Sequence, residues 1–493
     1  MQLPTVSRKR AVAVVYVLAI FMQAMDITIV NVALATLARQ FHVTPQETDA
    51  VAVSFVVSLA VFIPASGWLG DRFGTKRVLL FAVAVFTAAS ALCGLSQTLA
   101  QLVVFRALQG VGGGLLMPVG MAMLFRTYPP AERIRVARYV MIPAALGPAL
   151  GPVLGGLLTT DLSWRWVFYV NLPIGIFALV FGLLYVEEHR EPNPGRFDLP
   201  GFLLAGLGFS LVMFAISEGA NHGWASPLIL TTGLVGAVLL CALVLTELRV
   251  REPMLDLRLF GNRLFRTTTV IAFVAGAAFF GILYLFALYF QDALGMSPLV
   301  AGLTTFPEAI GVMLGSQVST RMVARYGPRA TLTAGLLGIT VLATLMSFTS
   351  TGTNWWVLRV IMFFVGVSVS HVFVVGQAVA FTTISSASTG RATTLYNAIR
   401  QLGAAVGIAG LATVLGAFST TVAGIAHPDL AAYHIAMRTS AAIALIGAAF
   451  ALTVKDRDAA AATGQYTTVR EAAAADGAAE RAVLRPRAVG EAE

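Results

Sequence analysis

The sequence predicts an all-α integral membrane protein with fourteen transmembrane helices, arranged as two six-helix bundles with two further helices inserted between them. Three observations carry that expectation. Hydrophobic residues make up 57% of the 493-residue chain and charged ones 12%, with a mean hydropathy of +0.81. That leaves too little polar surface to clothe a soluble globule, so lipid must be the solvent. Fourteen apolar runs reach the roughly 20 residues that a helix needs to cross a hydrocarbon core of about 30 Å. Lys and Arg gather on one side of those runs, which orients the chain.

In order, the predicted spans are 11–38, 49–70, 78–97, 99–125, 136–159, 166–186, 199–219, 227–247, 265–290, 297–320, 330–349, 354–380, 392–418 and 431–454. Residues 1–10 are basic, but the run behind them is long, holds Asp26 and lacks a small-residue cleavage site. They read as the cytoplasmic start of a retained helix rather than as a signal peptide. The expected domains are an N-terminal bundle over 11–190, a linker with two extra helices over 191–262 and a C-terminal bundle over 263–456. Residues 457–493 turn rich in Ala, Gly and charge, the composition of a disordered cytoplasmic tail.

With both termini inside, nearly all loop Lys and Arg face the cytoplasm. Only Arg39, Arg165 and Arg438 fall outside, and Arg106, Arg359 and Arg400 lie within spans. Topology therefore accounts for the net charge of +9, and no nucleic-acid partner is expected. Cys93 and Cys241 sit in separate apolar runs and offer neither a disulfide framework nor a metal site.

The chain also repeats itself. Arg325-Tyr326-Gly327-Pro328-Arg329 echoes Arg72-Phe73-Gly74-Thr75-Lys76 at a spacing of 253 residues, and intramembrane Arg359 echoes Arg106 at the same spacing. A shift of eight spans between like elements implies two six-helix halves around a central cavity, with spans 7 and 8 inserted. The echo is incomplete, because Ala324 stands where the first half has Asp71.

Charges inside spans are expensive and so point to function. Asp26 lies about 21 Å along span 1 from its inner end near Val12, and Arg106 about 10 Å along span 4 from its outer end near Leu99. Those depths match, so the two are expected to neutralise each other across the cavity. An event that parts them would leave an uncompensated acid in lipid, and such an acid takes a proton; a static ion pair fixing span 1 against span 4 is the plainer alternative. Glu308 lies about 16 Å into span 10, near the midplane. It could be a second proton site, an attractor for a cationic substrate, or a neutral hydrogen-bonded structural acid. His371 in span 12 could titrate near neutral pH or simply pack.

Span 5 carries Gly147-Pro148-Ala149-Leu150-Gly151-Pro152-Val153-Leu154-Gly155-Gly156. Gly147, Gly151 and Gly155, four apart, strip one face to backbone so that a neighbour can approach closely, while Pro148 and Pro152 weaken the hydrogen-bond ladder. The result is a pliant, tightly packed hinge. No phosphate loop, zinc pair or nucleophile elbow appears in the sequence, so an ion gradient is the expected energy source and no enzyme activity or cofactor is expected.

Several segments carry a family likeness. Gly67 followed by Asp71-Arg72-Phe73-Gly74-Thr75-Lys76-Arg77, read as a tight cytoplasmic loop, resembles the span 2 to 3 signature of the major facilitator superfamily. Met25-Asp26-Ile27-Thr28-Ile29-Val30-Asn31-Val32-Ala33-Leu34 is similar to the span 1 signature of that superfamily's fourteen-span drug:proton antiporters. Leu102-Val103-Val104-Phe105-Arg106-Ala107-Leu108-Gln109-Gly110 resembles the span 4 signature. The span 5 run resembles the antiporter motif, although Arg138 occupies the place of an earlier Gly. Trp164 to Pro173, Pro253 to Leu257 and Asn397 to Gly403 are similar to further family segments.

The resemblance covers all but the tail. It implies proton coupling at Asp26 and Arg106; Glu308 is a further candidate from its depth alone. It implies a conformational latch of Gly67, Asp71, Arg72, Gly74, Lys76 and Arg77, in which the acid meets a basic side chain or the positive end of a helix in one state only. Asn31, Gln109, His371, Asn397, Arg400 and Gln401 are candidate cavity residues. The expected activity is export of hydrophobic or cationic small molecules, such as drugs, in exchange for protons by a monomer in the plasma membrane. A proton-coupled nutrient transporter of the same fold and a membrane receptor without transport remain as alternatives.

Overall fold

The computed structural model describes residues 7–456. Within that range Thr44, 193–194, 251–252, 386–387, Ser419, 423–424 and Pro428 are excepted. The expected tail, 457–493, therefore lies outside the described residues.

The first half is built of α1 (Arg8–Phe41), α2 (Pro45–Phe62), α3 (Ser66–Phe73), α4 (Thr75–Leu95), α5 (Leu99–Thr127), α6 (Pro130–Leu157), α7 (Trp166–Tyr169) and α8 (Asn171–Tyr185). Two helices follow, α9 (Leu199–His222) and α10 (Pro227–Arg249). The second half comprises α11 (Arg263–Leu288), α12 (Pro298–Thr305), α13 (Pro307–Met346), α14 (Trp355–Ala380), α15 (Thr389–Ala417) and α16 (Leu430–Ala451). A short antiparallel hairpin, β1 (Thr420–Val422) with β2 (Ile425–His427), joins α15 to α16. Polar N-caps mark where several helices begin: Thr98, Ser226, Asn262 and Asp429 each accept a backbone N–H of the first turn, satisfying a donor the helix cannot use.

By length and apolarity, eleven helices among the described residues qualify as membrane spans, and α2 with α3 makes a twelfth, bent by 56°. Pro64 stands at that bend, where a residue without an N–H interrupts the ladder. The 40-residue α13 is divided at Gly327, whose φ of 80° and ψ of 166° leave the helical region. That break and the Pro- and Gly-rich α6 separate twelve spans from the fourteen expected.

One expectation is corrected here. Asp71, Arg72 and Phe73 are not in a loop but finish α3, and Thr75 already opens α4. Only Gly74, at φ 99°, turns the chain, in a region that glycine reaches without a Cβ penalty.

Each half buries its own apolar core, centred on Val15, Phe55, Phe86 and Leu116 in the first and on Phe286, Leu336, Val365 and Tyr433 in the second. The halves meet at the end that carries Asp71 and Arg126. There Phe381 of the second half packs against Phe125 of the first, with ring centroids 4.9 Å apart, and against Tyr396 at 5.4 Å. The inserted pair touches both halves: Trp68 of α3 packs against Phe197 just before α9, with the rings tilted by 57°, and Asp256 beyond α10 pairs with Arg391 of α15 at 3.6 Å.

Candidate functional site

Asp26 on α1 is fully enclosed, and so are Arg106 and Gln109 on α5 and Asn171 at the start of α8. Arg106 and Gln109 are three residues apart, hence on one helix face. Arg106 Nη1 donates to Asp26 Oδ2 at 2.5 Å and to Gln109 Oε1 at 2.7 Å. Gln109 Nε2 and Asn171 Nδ2 each donate to Asp26 Oδ1 at 2.9 Å. Asn171 also reaches Ser90 Oγ, and Arg106 Nε finds the Val51 carbonyl at 3.2 Å. The guanidinium lies over the Phe55 ring, 4.3 Å from its centroid. A buried carboxylate costs several kcal/mol unless it is paired and its lone pairs are used, and three donors from two other helices do both.

The structure thus brings Asp26 and Arg106 together, but inside the first bundle rather than across the central cavity. Gln109 does not line that cavity either, because its amide atoms serve Arg106 and Asp26. The side chain of Asn31 lies outside the described residues.

The glycines of α6 sit directly against this network. A Cβ on Gly147 would lie 2.8 Å from the Met25 nitrogen, and one on Gly151 would lie 3.1 Å from that of Ile29. The two positions straddle Asp26 and bring the α6 and α1 backbones into contact. Gly155 is buried farther along α6, whereas Gly156 has open space around it. The side chain of Pro152 lies outside the described residues.

Pro148, on the same helix, faces the other way into a cavity of about 100 Å³ between the halves. Phe280, Glu308, Phe373, Tyr396 and Arg400 form much of its wall. Of the cavity candidates with described side chains, only Arg400 is in that lining. Asn397, one turn away, donates to the Thr393 carbonyl at 2.8 Å. His371 packs instead, with Nδ1 2.6 Å from the Val367 carbonyl and Nε2 2.9 Å from Met322 Sδ. Gln401 is half-buried on α15 and is not in the lining.

At the closed end, Asp71 Oδ1 accepts from Arg126 Nη2 at 2.7 Å, and Arg126 also meets Glu191 at 3.4 Å. A Cβ on Gly390 would lie 2.8 Å from Asp71 Oδ1, so the carboxylate rests on the first turn of α15, where helix amides favour negative charge. Ser66 and Thr394 share a hydrogen bond of 3.0 Å between halves, and a Cβ on Gly67 would lie 2.9 Å from the Gly390 carbonyl. Arg72 is exposed, Lys76 Nζ donates to the Leu183 carbonyl and Arg77 pairs with Glu188 at 3.6 Å.

Sequence reasoning missed Arg133, one basic loop residue among many. Its Nη1 donates to the Phe381 carbonyl at 2.5 Å across the halves, and its Nη2 to the Phe125 carbonyl at 2.9 Å. Burial lowers its pKa to about 10, which leaves it charged at neutral pH. A basic residue just inside a helix start, facing two helix C-termini, was the available signal.

Two helical bundles enclosing a cavity, with an ion network buried in one of them, define a multi-pass membrane protein. The sequence matches the family described as Major Facilitator Superfamily over residues 16–408 and 268–486. "Putative multidrug resistance protein MdtD" of Escherichia coli strain K12/DH10B is 35% identical over 407 residues, 81% of this chain and 85% of that protein. The Shigella boydii serotype 18 protein of the same name matches to the same extent. The crystal structure of the human organic anion transporter MFSD10 (TETRAN) shares the fold at a TM-score of 0.66 and 16% identity, over 91% of this chain and 100% of that one. The chain belongs to the Major Facilitator Superfamily and is a transporter of that family.

Proposed function

We propose that the protein exports hydrophobic or cationic small molecules, drugs among them, in exchange for protons, working as a fourteen-span monomer with both termini in the cytoplasm. The observation that carries this reading is Asp26, fully enclosed, bonded to Arg106, Gln109 and Asn171, on a helix wedged against the glycines of α6. With the N-terminus inside, the closed end is cytoplasmic.

Protonation of Asp26 removes the charge that Arg106 balances and weakens the amide bonds to its carboxyl. The network must then rearrange, and α1 shifts against Gly147 and Gly151. Because α6 also walls the cavity through Pro148, that shift reaches the substrate site. Asp26 takes a proton from outside as substrate leaves and releases it to the cytoplasm after the halves rock. The contact of Asp71 with the first turn of α15 latches the cytoplasmic end meanwhile and parts when it opens. The names of the MdtD relatives support the drug-export part of this reading.

The test is proton-driven uptake of a fluorescent lipophilic cation into inverted membrane vesicles. The native protein should accumulate dye and dissipate the pH gradient. Asp26→Asn should do neither while remaining monodisperse in detergent. Gradient-driven uptake that persists in Asp26→Asn would remove Asp26 from the coupling step.

A further inference from the structure

The central cavity carries an acid and a guanidinium that, among the described residues, pair neither with each other nor with another ion. Glu308 is 5% exposed and lines the cavity, yet its carboxylate has no hydrogen-bond or ionic partner among the described residues. Arg400 lines the same cavity, and its Nη2 finds only Met117 Sδ at 2.6 Å and Asn397 Oδ1 at 3.5 Å. Its buried Nε has no acceptor, and no carboxylate pairs with it among the described residues. A thioether and a distant amide are weak returns for burying a guanidinium.

The buried network of the first half is the contrast within the same molecule. There the acid and the guanidinium pair directly at 2.5 Å. In the cavity no ion pair joins the two, and Phe279, Phe280, Phe373 and Tyr396 line the same wall. The cavity of about 100 Å³ has room for about one aromatic ring. A ligand with a single positive charge would satisfy Glu308 and leave Arg400 bare, and a single negative charge would do the reverse. Only a molecule carrying both satisfies the whole site.

We infer that this cavity is a two-anchor site for small amphoteric aromatic molecules, with Glu308 taking the cationic end, Arg400 the anionic end and the Phe side chains the ring between. The inference rests on the reading of this cavity as the transporter's substrate site and narrows its ligand from any cation to a zwitterion. Two charge-assisted hydrogen bonds then act on one ligand, and losing either end costs about tenfold or more in affinity.

The experiment is equilibrium dialysis of the full chain in lipid nanodiscs against three matched probes. These are 4-(aminomethyl)benzoate, its methyl ester, which keeps only the cation, and its N-acetyl derivative, which keeps only the anion. The zwitterion should bind at least about tenfold more tightly than either. Glu308→Gln should bring it down to the level of the N-acetyl probe, and Arg400→Gln to that of the ester. Arg400→Lys keeps the charge and should keep the preference, which covers the case in which Arg400→Gln does not fold.

Equal binding of zwitterion and ester by the native protein, or saturable binding of none of the three, would overturn the inference. Dialysis needs no gradient, so it is read separately from vesicle transport. Preferred zwitterion binding without proton-driven flux would keep the site and remove the exporter reading. Flux of lipophilic cations without zwitterion preference would do the opposite.

Discussion

Gly74 in the first half and Gly327 in the second lie 253 residues apart, at φ 99° and 80°, and each is cupped by a carboxylate from the end of its own half. Glu188, just beyond α8, accepts the Lys76 and Arg77 amides at 2.9 and 3.2 Å. Asp456, just beyond α16, accepts the Arg329 amide at 2.8 Å. The backbone plan is therefore repeated down to its capping acids. The buried charges are not. Arg106 is enclosed with Asp26, whereas Arg359, its counterpart in spacing, is half-buried over the Trp356 ring at 4.8 Å. The residue spaced likewise from Asp26 is Phe279, which lines the cavity, and Ala324 replaces Asp71. On the proposed function, the first half holds the coupling chemistry and the latch, and the second supplies most of the cavity wall.

The sharpest test of that division is to delete the matching arginine in each half. Arg106→Ala leaves Asp26 buried without its counter-ion and should cost about 3–5 kcal/mol. Arg359→Ala loses a cation–π contact at a partly exposed site and should cost about 1 kcal/mol or less. Thermal unfolding in detergent reads both, and equal losses would break the asymmetry. Next in size is Gly147→Ala, whose Cβ would meet the backbone of α1 at Met25. Backbone yields poorly, so about 1–3 kcal/mol is expected, together with loss of proton-driven dye uptake. Unchanged uptake would show that the close approach of α6 to α1 is packing alone.

The backbone repeat makes the opposite forecast, of equality. Gly74→Ala and Gly327→Ala each place a side chain at positive φ, beside a carboxylate, and should each cost about 1–2 kcal/mol. A loss confined to one half would mean that only one of the two breaks is held in that conformation.

The sequence disclosed what depends on composition and depth. Spans follow from apolar length, and the meeting of Asp26 with Arg106 follows from 1.5 Å of rise per residue measured from opposite ends. It did not disclose which way a side chain turns about its helix axis, because tertiary packing decides that. Asp26 and Arg106 therefore seemed to face the cavity when they face the bundle interior, and Gln109 seemed a lining residue when it completes their network. Ser90 gave no warning, since a short polar side chain in an apolar run is ordinary until a buried acid is found beside it, and Asn171 stood out only as part of the Trp164 to Pro173 family segment. The Asp71 segment was misread as a loop because charge suggested water, whereas Arg126 and the start of α15 supply the polar surroundings that keep it helical.

The smallest expected effect probes the repeated caps. Glu188→Gln and Asp456→Asn keep an acceptor oxygen but remove the charge that faces the first turn of the following helix, so each should cost about 0.3–1 kcal/mol at low ionic strength and less in salt. Glu188 also pairs with Arg77 at 3.6 Å, but 75% of that arginine side chain is exposed, so solvent leaves the pair little to add. The two substitutions should therefore lower the unfolding temperature by similar small amounts, and the difference between them should vanish as salt rises. A larger, salt-insensitive loss for Glu188→Gln alone would show that the first half uses its cap to hold the latch helix α3 against α4. In that case the halves would differ in the backbone plan as well as in their charges.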